Sequence, residues 1–168
     1  TKIRTPYLDQ MAKEGMRFTN FYAGSPVCAP SRCVLMTGKH GGHAFIRDNK
    51  EWQPEGQYPI PATEITLAEI LKQRGYVTGG FGKWGLGYPG SEGDPNKQGF
   101  DYFFGYLDQK QSHNYYPTHL WENGQRFLLQ NEYFSPHQQL AKIPEDESVF
   151  NRYKGNEYAP DVMTSKAL

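Results

Sequence analysis

Cysteine is scarce in this chain of 168 residues: Cys28 and Cys33 are the only two. That number excludes a disulfide framework and an all-protein zinc site, and it says little about redox compartment. Charge of one sign is also missing, since 18 Lys+Arg face 18 Asp+Glu. Without a basic surplus, nucleic acid is not an expected partner. No apolar run approaches the roughly 18 residues of a membrane-spanning helix, so no membrane segment is expected. The opening Thr1-Lys2-Ile3-Arg4 shows no initiator Met and no apolar signal-peptide core. What is plentiful is aromatic and turn-forming residues, with 12 Tyr, 10 Phe and 3 Trp beside 18 Gly and 12 Pro. Such a chain is globular and turn-rich rather than disordered. With only 37% hydrophobic residues its core is thin for a whole domain, and both ends start or stop in helical patterns. Residues 1–168 are therefore expected to be part of one domain truncated at both ends.

Local patterns give a coarse order of elements. Thr5-Pro6 caps a short amphipathic helix (Leu8, Met11, Ala12) that Gly15 ends. Residues 16–22, dense in aromatics, read as a strand. A second short helix begins just after Cys28, with Pro30 in its first turn and Gly38 placed for its C-cap. Residues 40–61 lack a period and read as a long surface loop. Thr63 is the expected cap of a third helix with an apolar stripe of Leu67, Ile70 and Leu71, closed by Gly75. Residues 76–81 then form a strand, which suggests a layered α/β sheet. Residues 100–106 are a further strand candidate. Asn123-Gly124 predicts a type I′ hairpin between residues 118–121 and 126–129, and residues 136–155 read as polar and irregular. No internal repeat is present.

Two segments carry the chemistry. Cys28-Ala29-Pro30-Ser31-Arg32 places a thiol at a helix N-terminus with a guanidinium four residues on. Unpaired N–H groups, the helix dipole and a planar cation together favour a tetrahedral oxyanion. Spacing alone leaves open a Cys28–Cys33 disulfide or two inert thiols. Gly75-Tyr76-Val77-Thr78 through Gly82-Lys83-Trp84 puts a lysine just past a strand in a Gly-rich loop, where ligands commonly bind. Trp84 follows Lys83, so no hydroxyl stands where a phosphate-binding loop needs one for magnesium.

Taken in order, Cys-x-Pro-Ser-Arg followed by Thr37-Gly38-Lys39, and Gly-Tyr-x-Thr-x3-Gly-Lys, resemble the two signatures of the type I sulfatase family. Residues 4–22 also resemble that family's N-terminal region, and the similarity runs over at least residues 3–107. The resemblance implies a three-layer α/β/α sandwich of alkaline phosphatase/sulfatase type, incomplete in this chain, and hydrolysis of an aryl or carbohydrate sulfate monoester. It implies that Cys28 is oxidised to formylglycine by a formylglycine-generating or equivalent maturation enzyme. The resulting aldehyde hydrate is the family's nucleophile. Pro30 and Arg32 belong to the sequence read by the maturation enzyme. Arg32 would hold the hydrate, and Lys83 would bridge it and the sulfate. His113 would protonate the leaving oxygen or donate to sulfate, with Ser112 as a further contact.

One departure stands out. Many family members carry His two residues after the lysine, where this chain has Gly85. The family also binds a divalent cation, usually calcium, through oxygen donors and the modified cysteine, here Cys28. The remaining ligands are expected outside these residues, and Asp48-Asn49 reads as a turn. His40, His43, His119 and His137 read as surface or structural residues. Tyr115, Tyr116 and Trp121 suit packing or a sugar platform, with packing favoured. Family resemblance places the protein in the periplasm or outside the cell. Two alternatives remain: a phosphonate or phosphate ester hydrolase of the same superfamily, and a silent binding module with a Cys28–Cys33 disulfide.

Overall fold

A computed structural model describes residues 3–135, 137 and 146–168. Its centre is a four-stranded sheet in the order β1 (Gly79–Lys83), β2 (Tyr102–Tyr106), β3 (His119–Glu122) and β4 (Gln125–Leu128). β1 and β2 are parallel, with Gly82 opposite Gly105, and the other pairs are antiparallel. The Gly82–Gly105 pair is a close backbone approach: a Cβ on Gly105 would lie 2.0 Å from the Gly82 carbonyl oxygen. No side chain fits there.

Strand alternation divides the core into two faces. Phe103 and Trp121 join Ala29 and Cys33 of α2 (Cys28–Thr37) with Ile60, Trp84 and Leu86 on one face. Phe104, Tyr106 and Leu120 join Ala159 of α4 (Ala159–Ala167) on the other. Helix, sheet and helix therefore form three layers. α1 (Pro6–Glu14) buries none of its residues. α3 (Leu67–Gln73) packs beside α2.

Several elements follow the sequence patterns. α1 has Pro at its first turn, and α2 ends on Gly38 in the left-handed region at φ 67°. The hairpin turns on Asn123 and Gly124 with φ of 46° and 76°, as a type I′ turn requires.

Others differ. Residues 16–22 form no strand: Met16, Phe18, Phe21 and Tyr22 stand exposed, and an alternating segment becomes a strand only where another pairs with it. α3 starts at Leu67, capped by Thr66 rather than Thr63. The Thr66 hydroxyl accepts from Glu69 N–H while the Glu69 carboxylate accepts from Thr66 N–H, a reciprocal box that Thr63 cannot form because Thr66 sits three residues beyond it. β1 begins at Gly79, since Tyr76 and Val77 are exposed and Thr78 is tied to Gly99 and Asp101 by its side chain. The 40–61 segment is not merely surface, because Ala44, Ile46, Gln57 and Ile60 are buried. A 3-10 helix, Glu147–Tyr153, interrupts the expected irregular stretch; residues 136 and 138–145 of that stretch lie outside the described residues.

Candidate active site

Cys28 is the first residue of α2 and is solvent-exposed. Val27 before it supplies no side-chain cap. The cap comes instead from twenty residues away, where Asn49 Oδ1 accepts the Ala29 N–H at 3.1 Å. Asn49, expected to be only a turn residue, therefore does two things: its own N–H bonds Asp48 locally at 2.7 Å, and its carboxamide closes the helix start. The expected cradle of unpaired N–H groups is correspondingly smaller, because the Ala29 donor is already taken.

Four residues on, Arg32 lies on the same side of α2 as Cys28. Its Nε donates to the Trp84 carbonyl and its Nη2 to Gln109 Oε1, each at 2.5 Å. These two anchors come from the segment after β1 and the segment after β2, and they fix the guanidinium in one pose. Lys83 is the last residue of β1 rather than a residue past the strand, so it stands at the C-terminal edge of the parallel pair.

Electrostatics ties these groups together. Burial pushes the Cys28 thiol's pKa up, but the Lys83 charge, the Asn49 hydrogen bond and Arg32 outweigh it and hold the thiol below its ordinary value. Lys83 also acts on His113. Burial, then His137 and Lys83, depress the imidazole's pKa against an opposing pull from Asp108. The charged form of His113 is thus disfavoured, and its Nδ1 lies 2.5 Å from His137 Nε2. Cys28, Arg32, Lys83 and His113 therefore share one electrostatic neighbourhood. Ser112 is turned away from it, since its hydroxyl donates to the Gln109 carbonyl at 2.6 Å.

The two cysteines are free. A disulfide between them is excluded by the helix: five residues along α2 rotate the side chains well apart, leaving Cys28 outside and Cys33 fully buried. Among the remaining candidates, Trp121 belongs to the core, whereas Tyr115 is exposed and stacks on Tyr158 at 5.8 Å. His119 points away to Glu55, its Nε2 2.9 Å from the carboxylate. His40 accepts the Gly42 N–H on its ring.

Apart from Cys28, the described residues assemble no calcium site, in keeping with ligands expected elsewhere. Among the described residues no group of three or more His, Cys, Asp or Glu converges. The formylglycine side chain does fit. Cys28 is exposed at a helix start with two cations close by, room and charge for a small polar group that meets an anion.

Sequence reasoning missed Asn49, Gln57 and Gln109. Gln109 is buried, and its Nε2 donates to Asn49 Oδ1 at 2.8 Å and Gln57 Oε1 at 2.9 Å. Neutral amides in loops carry no motif, so only the fold reveals them.

This arrangement, an exposed thiol at a helix start with Arg32 and Lys83 acting on it, has the charge that suits an oxyanion. The family model described as Sulfatase matches residues 1–164, and the chain belongs to the sulfatase family. Among curated relatives, arylsulfatase G of Homo sapiens is 50% identical over 101 residues, covering 60% of this chain and 19% of the relative. Arylsulfatase A of Homo sapiens is 44% identical over 103 residues, covering 60% and 20%. The chain thus spans about a fifth of the length of these relatives. Among solved structures, Ps i-CgsB in complex with k-i-k-neocarrahexaose aligns with a TM-score of 0.65 and 28% identity, over 74% of this chain and 32% of that one. A second, bound to its substrate D-glucosamine-2-N,6-O-disulfate, aligns with a TM-score of 0.61 and 29% identity, over 98% and 25%. The fold is the α/β/α type of alkaline phosphatase and the sulfatases, incomplete in this chain.

Proposed function

We infer that the protein hydrolyses a sulfate monoester at the N-terminus of α2. The observation that carries this reading is the joint action of Lys83 on Cys28 and His113, with Arg32 anchored beside them. As formylglycine, Cys28 would supply a hydrate hydroxyl as the nucleophile toward sulfur. Lys83 places a positive charge where the sulfate oxygens gather negative charge in the transition state. Arg32, held by Trp84 and Gln109, is preorganised and needs no rearrangement during the reaction. His113, whose charged form burial and the nearby cations disfavour, acts as a hydrogen-bond partner of the sulfate or its leaving oxygen. Ser112 reaches substrate only if it gives up its bond to Gln109.

No step is assigned to calcium, whose ligands other than residue 28 are expected outside these residues. Arylsulfatase relatives support a sulfate ester, and the sugar complexes among the structural neighbours favour a carbohydrate sulfate over a simple aryl one. A maturation enzyme acts on Cys28, and the work is done in the periplasm or outside the cell, a reading the family resemblance supports; no helix among the described residues is long and apolar enough to cross a membrane. Parallel assays of an aryl sulfate, a sulfated amino sugar and an aryl phosphonate on the full-length protein test the reading. Turnover of the sulfates is expected. Preference for the phosphonate contradicts it and points to a phosphorus ester hydrolase.

A further inference from the structure

Gly85 is buried, with φ at 65°, and leaves a gap where a side chain would stand. The gap is filled. A Cβ at position 85 would lie 2.5 Å from Arg32 Nη2 and 2.7 Å from Gln109 Cγ, so the glutamine occupies the space from the other side. We propose that Gln109 is a positioning residue: its carboxamide fills the volume above Gly85 and orients the Arg32 guanidinium and the Asn49 carboxamide at the start of α2.

The hydrogen-bond polarity is fully determined. Gln109 Oε1 faces the guanidinium of Arg32, while both Nε2 protons face carbonyl oxygens, those of Asn49 and Gln57. Gln57 is in turn anchored through its Nε2 on the Gly56 carbonyl at 2.9 Å. Asn49 Oδ1 accepts from Gln109 and from Ala29 N–H together. One amide therefore joins a cation of the site to the cap of the nucleophile's helix, across sequence separations of 77 and 60 residues. Buried networks of this kind specify a pose only while every member is satisfied. An acceptor on one arm and donors on the other is a pattern that only an amide of this length provides.

The role rests on the sulfatase reading for its catalytic consequence but not for its geometry, and the test separates the two. Gln109→Glu keeps the volume, retains the acceptor for Arg32 and turns the donors into oxygens facing the oxygens of Asn49 and Gln57. Gln109→Met keeps length without charge and removes all three bonds. In the full-length protein with either substitution, kcat for a sulfate ester should fall about tenfold or more with KM changed less than about threefold. Independently of turnover, the pH midpoint for iodoacetamide alkylation of unmodified Cys28 should move up by about half a unit or more, because Asn49 and Arg32 no longer face the thiol together. A residue that merely fills space predicts an unchanged midpoint and unchanged kcat in the folded Gln109→Met protein, which adds no charge beside the thiol, and that result overturns the proposal. A shifted midpoint in a protein whose wild type cleaves no sulfate ester keeps Gln109 in this role and removes the sulfatase reading.

Discussion

The start of α2 and the β3–β4 hairpin are both short, and they are held together in opposite ways. The hairpin is mainly local: four residue pairs in register and a two-residue turn, with one outside tie, the Asn123 carboxamide that accepts from Phe103 N–H at 2.8 Å. The helix start is assembled from afar. Its cap comes from residue 49, its guanidinium anchors from residues 84 and 109, and the ammonium that acts on its thiol from residue 83. A region built locally contributes chiefly to stability. One built from long-range side chains has its geometry set by the whole fold, which suits a site that must keep several charges in fixed positions.

That contrast breaks if site substitutions unfold the protein or hairpin substitutions change its chemistry. Cys28→Ala should have the largest effect, a loss of roughly four orders of magnitude or more in turnover, with thermal stability kept because the side chain is exposed. Measurable turnover in a pure sample contradicts the role of Cys28. Next, Lys83→Ala should lower kcat by about two to three orders of magnitude. A rate within twofold of wild type removes Lys83 from the site.

The hairpin should behave the other way. Asn123→Ala removes a side chain suited to the left-handed turn and leaves the Phe103 N–H without its partner. Denaturant titration should show a loss of about 1–3 kcal/mol, while kcat per folded molecule stays unchanged. A changed kcat would mean that the hairpin shapes the site after all.

The smallest expected effect concerns Glu55, which ties the 40–61 segment to the hairpin by accepting from Trp121 Nε1 at 2.7 Å and pairing with His119. Burial pushes the Glu55 pKa up, but the His119 and Trp121 hydrogen bonds outweigh it, so the folded value lies below the ordinary 4.5. The stabilisation is thus present above the unfolded pKa and is lost as pH falls through the folded one. Glu55→Gln should be less stable than wild type at pH 7, and the gap should close on acidification below about pH 4. A gap that is constant with pH would assign the effect to packing.

Legibility in the sequence follows the same division. Asn123-Gly124, Gly38 and Pro30 act through backbone preferences of one or two residues, so their turn and helix ends are readable. Cys28, Arg32 and Lys83 stand out through the resemblance to the two sulfatase signatures, since their spacing alone left other readings open. The Thr66-x-x-Glu69 box was equally present in the sequence, yet Thr63 competes with it until the reciprocal bonds are seen. Asn49, Gln57 and Gln109 were not readable. Each lies 20 to 77 residues from the groups it serves, and an amide acquires its meaning only from what the fold sets against it. Residues 16–22 failed for the converse reason, since alternation predicts a strand without saying what pairs with it.

The central claim, that residue 28 is the nucleophile in an oxidised form, is reached most directly by mass spectrometry of the tryptic peptide Phe18–Arg32 from the protein produced in its own host. The account predicts a peptide lighter by about 18 Da than the free-thiol form, as conversion of the thiol to an aldehyde requires. An unmodified thiol in a sample that hydrolyses sulfate esters would contradict it.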